Sequence, residues 1–271
     1  MCETDGFMPG FRRRAAVLFA LIAAASAVTA QQEPGAPLIG LPGAPAAMHE
    51  SLQYSVEWRL IPAGTAELDW NATPRSGSAA SEIKLHLQSA GLVSRLFRVD
   101  DQYQVLMNQN LCAQTTDTMA QEGSRRRETH VAFDPIQHKA RYAEKDLTKN
   151  TTATQEVDIP ACVHDVMGGL LMLRSLKLEP GNAVQLPVSD GKKFVQARVE
   201  SQGREDLNTP LGPRKTIRYE VFLFDNVLYR RPGHLHVWLT DDARRLPVQI
   251  QVRLQFTIGT VTLRLTKEDK S

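Results

Sequence analysis

The stretch CVHDVMGGLLMLRSLKLEPG, residues 162–181, decides how the rest of the chain is read. It is the one long helical pattern in a sequence that otherwise reads as strand after strand. Val163, Val166, Met167, Leu170, Leu171, Met172, Leu173 and Leu176 cover most of the helix circumference and leave His164, Asp165, Arg174 and Lys177 at its ends. A helix apolar nearly all round has to be enclosed. Asp165 is placed to cap its start and Pro180-Gly181 to stop the chain after it. Burying these side chains is worth on the order of 10–20 kcal/mol, more than any surface feature of this sequence supplies. The stretch predicts a helix that plugs a sheet. By itself it names no activity.

The flanking sequence alternates with a period of two. Leu52, Tyr54, Val56, Trp58 and Leu60 share one face against Gln53, Ser55, Glu57 and Arg59, and residues 61–64 are expected to turn the chain. Ala66, Leu68 and Trp70, then Ile83, Leu85 and Leu87, continue the pattern, so three strands form a meander. Residues 91–98 read as a short helical turn with Leu92, Leu96 and Phe97 inward. More polar strands are predicted over 102–108, 111–121, 126–133 and 140–146. After the helix come a hairpin about Asp190-Gly191, strands through Ile217–Leu223 and Leu235–Leu239, a long alternation from Leu246 through Ile250 and Val252 to Phe256, and Val261, Leu263 and Leu265.

One-faced antiparallel strands on both sides of one all-apolar helix predict a mainly β fold. The expected form is a strongly curved antiparallel sheet, an open or incomplete barrel, wrapped around the helix. A two-sheet sandwich leaves little room for the helix. An outer-membrane barrel is disfavoured, because aromatics are only 6% of residues and cannot form two girdles.

The first segment reads as an export signal. Arg12, Arg13 and Arg14 precede an apolar run over residues 15–28, with cleavage expected after Ala30 and an alternative after Ala27. Translation from Met8 instead of Met1 fits such a signal better. The run is shorter than the ~20 residues that span a bilayer. Residues 31–48, rich in Pro, Gly and Ala, read as a tether, and residues 49–271 as a single β-rich domain. Without residues 1–30, which hold those arginines with Glu3 and Asp5, the formal charge of +2 becomes +1. A near-neutral balance makes no electrostatic case for nucleic acid or acidic membranes.

Cys112 and Cys162 remain after such cleavage. In an oxidising compartment an even pair is expected to form a disulfide, worth ~4 kcal/mol for a loop of about fifty residues. The alternative is two separately buried thiols. Structural zinc wants four closely spaced ligands, so no metal is expected here.

Few constellations suggest chemistry. His234 and His236 share a strand face with Trp238, a spacing metals use, but no third ligand is nominated. Asp241-Asp242-Ala243-Arg244-Arg245 reads as turn capping with surface ion pairs, and Asp100-Asp101 likewise. His164-Asp165 diverge at a helix cap and have no Ser or Cys nucleophile in an elbow. No phosphate loop or dinucleotide fingerprint occurs, so no catalytic residue and no cofactor are assigned.

Tyr54-Ser55-Val56-Glu57-Trp58, Ala63-Gly64-Thr65-Ala66, Leu171-Met172-Leu173-Arg174, Thr209-Pro210-Leu211-Gly212, and the run from Val237-Trp238 through Arg244-Arg245-Leu246-Pro247-Val248 together resemble the bacterial envelope family catalogued as domain of unknown function 3108. The resemblance covers about residues 49–267, and the stretch ending at Val248 is its most specific part. It implies an exported β-rich protein without assigned catalytic residues. The architecture is similar to the half-open barrels of periplasmic lipoprotein carriers, a likeness of fold alone. The expected function is a non-catalytic periplasmic binder of an apolar or lipid-like ligand, with Trp58, Trp70, Gly168, Leu171 and Val252 lining the cavity. The alternative is an envelope scaffold that docks proteins; a hydrolytic enzyme ranks below both.

Overall fold

The structure, a computed structural model, describes residues 49–75, 78–255 and 259–270. The signal and tether segments lie outside the described residues. The first half of the chain forms β1 (His49–Trp58), β2 (Ile61–Arg75), β3 (Ser78–Ser89), α1 (Gly91–Leu96), β4 (Asp100–Asn108), β5 (Ala113–Glu122), β6 (Arg125–Asp134), β7 (Lys139–Asp146) and β8 (Thr151–Asp158). After α2 (Val166–Ser175) come β9 (Ala183–Ser189), β10 (Phe194–Thr209), β11 (Gly212–Phe222), β12 (Gly233–Thr240), β13 (Pro247–Leu254) and β14 (Gly259–Lys270).

All fourteen strands join one antiparallel sheet in the order β8-β7-β6-β5-β4-β3-β2-β1-β14-β13-β12-β11-β10-β9. Every neighbour is also next in sequence except β1 and β14, where the chain's two halves meet. The outermost strands, β8 and β9, are consecutive in sequence but not hydrogen-bonded to each other, so the sheet does not close. The segment joining those two edges carries α2. The meander predicted from Leu52 to Leu87 is present as β1–β2–β3.

Alternation fails where no face is apolar. β8, Thr-Thr-Ala-Thr-Gln-Glu-Val-Asp, lies outside the predicted strands because nearly all its side chains are exposed, and backbone pairing to β7 alone holds it. The first turn is Arg59-Leu60, not residues 61–64. Both have positive φ, 50° and 69°, the geometry of a tight hairpin turn that usually takes Asn-Gly. Leu60 therefore leaves the apolar face of β1 and stands at the turn tip. The helical turn expected at residues 91–98 forms as α1, but its supposed inward side chains, Leu92, Leu96 and Phe97, are all exposed.

α2 starts as expected. Asp165 accepts hydrogen bonds from the Met167 and Gly168 amides, both 2.9 Å. It ends at Ser175, before Pro180-Gly181, because Leu176 turns extended (φ −80°, ψ 131°). The Cys112–Cys162 disulfide ties the approach to the helix to the β4–β5 turn. Alongside it the Ala113 amide donates to the Val163 carbonyl at 2.8 Å.

Candidate functional site

α2 is not enclosed all round. Val163, Leu171 and Leu173 are buried, while Val166, Met167, Leu170, Met172 and Leu176 keep partial exposure. Leu171 packs into a core built on β1–β4, β13 and β14, and Leu173 into a second core on β9–β12. Between these cores lies a cavity of about 330 Å³. Val166, Met167, Gly169 and Leu170 form its helical side; Tyr54, Leu68 and Leu85 line it from β1–β3, and Val188, Leu235 and Val252 from the other half of the sheet. The partial exposure of Val166, Met167 and Leu170 is thus explained by the space they face, whereas Met172 and Leu176 lie outside it.

Among the described residues no charged side chain lines this cavity, and the hydroxyls of Tyr54 and Tyr229 are its side-chain oxygen and nitrogen groups. The Tyr54 hydroxyl is already spent, donating to the Pro247 carbonyl at 2.9 Å, and burial pushes its pKa up. Tyr229 both lines the cavity and is 37% exposed, which places it where the cavity meets solvent. Its phenol is pushed up to about 12 by burial, then by the charges of Asp190 and Asp165. Such a surface discriminates by shape and apolar contact and does not move protons near neutral pH.

Polar groups at the two ends of α2 position it. At the start, buried Asp165 also accepts from the Tyr103 hydroxyl at 2.9 Å, and burial raises its carboxyl above the usual range despite these bonds. His164, also buried, donates Nδ1–H to the Leu111 carbonyl at 2.7 Å, while its backbone bridges to β9 through Pro187 and Ser189. Burial holds this imidazole below its ordinary value. The two side chains turn away from each other to different partners, so no dyad forms.

Near the other end, Arg174 is buried and forked onto Glu50 of β1, Nη1 to Oε2 at 2.6 Å and Nη2 to Oε1 at 3.2 Å. Its Nε and Nη2 also reach the carbonyls of Arg245 and Arg244 at 3.1 and 3.3 Å. The β12–β13 turn that supplies those carbonyls is shaped by Asp242, whose Oδ1 accepts from the Arg244 and Arg245 amides. The acidic-basic run therefore caps its turn as expected, but it also cradles a buried guanidinium. The signal for Glu50 was present in sequence: it is in step with Leu52, Tyr54 and Val56.

Of the residues expected to line a cavity, Val252 does so. Trp70 and Leu171 are core residues, Trp58 packs partly buried against the first core, and Gly168 faces Met107 and Asp165. The neighbouring Gly169 opens on the cavity instead. His234 and His236 stack with ring centroids 6.2 Å apart, Trp238 lies tilted against His236 at 5.9 Å, and His234 is bonded to Glu220 at 2.9 Å. Among the described residues no three His, Cys, Asp or Glu side chains converge as a metal-binding set.

These features define a mainly β protein built on one large, unclosed antiparallel sheet with an apolar cavity against its main helix. The chain belongs to the family described as protein of unknown function (DUF3108), which matches residues 53–266. It is similar in fold to the crystal structure of a β-barrel-like protein of domain of unknown function DUF1849 from Brucella abortus. The TM-score is 0.52 at 9% identity, over 83% of this chain and 98% of that one. No curated protein matches the chain.

Proposed function

We propose that the protein is an exported, periplasmic, non-catalytic binder of an apolar or lipid-like ligand of the cell envelope. In this reading the open sheet curves about α2 as a half-barrel and the ligand lies between them. The observation that carries it is the cavity of about 330 Å³ with an uncharged lining, at the lower end of the range in which small-molecule sites fall, roughly 300–1,000 Å³. The Cys112–Cys162 disulfide supports the oxidising compartment. Among the described residues no helix is long and apolar enough to cross a membrane.

Gly169 supplies the test. A Cβ built there meets only Val188, at 3.8 Å, so Gly169→Leu can grow into the cavity. Titrated with an environment-sensitive fluorescent fatty acid, the unaltered protein is expected to bind it and Gly169→Leu to bind at least roughly tenfold more weakly, at the cost of about 1.4 kcal/mol that such a ratio represents. Equal binding by both proteins, with the variant's fold intact by circular dichroism, would remove the cavity from the account.

A further inference from the structure

Alternate turns of an antiparallel meander fall at the same end of the sheet. One end therefore carries the β1–β2 turn, α1, the β5–β6, β7–β8 and β9–β10 turns, the β11–β12 loop, the last residues of β13 and the first of β14. Most of the large apolar side chains left in solvent among the described residues stand there, led by Leu60 (84% exposed), Leu96 (72%), Leu92 (61%) and Phe97 (53%). Leu60 holds this place in a left-handed backbone conformation that a leucine adopts only at a cost.

Backbone hydrogen bonds make these tips neighbours. The Arg59 amide donates to Thr260, Ala90 to Ala63, Gly123 to Arg98 and Leu147 to Arg126, all at 2.7–2.9 Å. The ring of Phe97 lies 3.1 Å from where a Cβ on Gly123 would stand. Arginines stand between the apolar tips. Arg95, Arg126, Arg230, Arg231 and Arg253 are exposed at this end and have no carboxylate partner among the described residues. Of the carboxylates nearby, Asp100 pairs with His86 and Arg98, Glu122 with Arg127 and Asp146 with Arg125, while Asp101 and Asp190 accept from backbone amides; Glu128 and Asp225 are exposed with no cationic partner among the described residues. A net charge near zero conceals this one-sided distribution.

We propose that this rim docks the protein on a bilayer surface containing anionic phospholipid. Leucine and phenylalanine on separate turn tips enter the headgroup boundary, and the arginines between them meet lipid phosphates. Beside Leu60 a groove opens, lined by His234, Gln251, Arg253 and Thr260, but Leu92, Leu96 and Phe97 lie outside it on a separate tip, and a fluid bilayer accommodates each tip separately. Tyr229, at the mouth of the cavity, belongs to the same end, so docking turns that mouth toward the membrane. The proposal goes beyond ligand binding, and either can fail while the other stands.

Trp58, the last residue of β1, lies at this end, whereas Trp70 is buried in the core. The full chain is mixed with vesicles of phosphatidylethanolamine and phosphatidylglycerol whose acyl chains are brominated, and tryptophan fluorescence is followed. The expected result is quenching that disappears in Trp58→Phe. It is also expected to disappear in the triple variant Leu60→Ser/Leu96→Ser/Phe97→Ser, whose exposed sites leave the melting curve unchanged. Arg95→Glu/Arg126→Glu is expected to weaken vesicle binding by roughly tenfold or more, an effect that shrinks in high salt. Because any apolar run before residue 49 is common to all variants, differences between them report on the rim. Absence of quenching, undiminished quenching in the triple variant, or equal quenching by brominated phosphatidylcholine vesicles would overturn the proposal. So would a dimer in sedimentation that only the triple variant dissolves, since the rim would then belong to a second copy of the chain.

Discussion

Arg174 shows how much of this molecule rests on single side chains. Its guanidinium makes four hydrogen bonds, two to Glu50 and one each to the carbonyls of Arg244 and Arg245. Removing one partner of a buried ion pair strands the other charge, which costs about 3–5 kcal/mol. Glu50→Gln is expected to lose stability in that range in urea denaturation, and Glu50→Leu/Arg174→Met far less than the sum of its single variants. Additive losses would mean the pair is not coupled. The two adjacent helix glycines should respond in opposite ways. A Cβ on Gly168 meets Asp165 Oδ1 at 2.8 Å and Met107 Sδ at 3.0 Å, whereas Gly169 has room. Gly168→Ala should lower the melting temperature, and Gly169→Ala should raise it by reducing the entropy cost of helix formation, worth up to ~1 kcal/mol. His164 adds a pH dependence. Its folded pKa lies below the unfolded 6.5, so its contribution is complete above that pH and is lost as the pH falls toward the folded value. His164→Gln should flatten the stability profile below about pH 6.5; an unchanged slope would show that this imidazole is not held neutral by the fold.

At the scale of elements, what could be read in the sequence depended on whether an element has one wet and one dry face. β1 does: Leu52, Tyr54 and Val56 alternate with polar residues, and the strand is where the pattern puts it; β12 also lies where Leu235, Val237 and Leu239 put it, although it is buried on both faces from Val237 to Thr240. β8 lacks a dry face, so no periodicity marks it. The Arg59-Leu60 turn lacks the Asn-Gly chemistry that marks such turns. In α1 the apolar residues signal an element without saying which side faces the core, because six residues at a sheet end pack on too little to decide it. α2 was legible in its cap and composition, yet its apolar circumference does not distinguish side chains that contact protein from those that face a void. Leu171, fully buried, marks the contact side: Leu171→Asp is expected to abolish the cooperative thermal transition. A sharp, unshifted melt would mean that α2 is not integral to the core. Its tether to the β4–β5 turn can be weighed separately, since Cys112→Ser/Cys162→Ser should cost about 4 kcal/mol in the chain-entropy treatment of a loop this long.

For the whole molecule, the two halves of the chain meet at β1–β14 and stay apart at β8 and β9, with α2 on the segment that joins those edges. This leaves two partial cores on either side of the helix with an uncharged cavity between them. Sequence alone put Trp70 and Leu171 at the cavity, where the structure packs them into core, because periodicity reports which face is dry and not whether it is filled. The claim that the cavity holds a ligand is tested most directly by intact mass. Protein purified gently and without detergent should show, under native conditions, a ligand-sized excess that vanishes on denaturation, leaving a chain lighter by the two hydrogens of the disulfide. A chain of the same bare mass under both conditions would contradict the account.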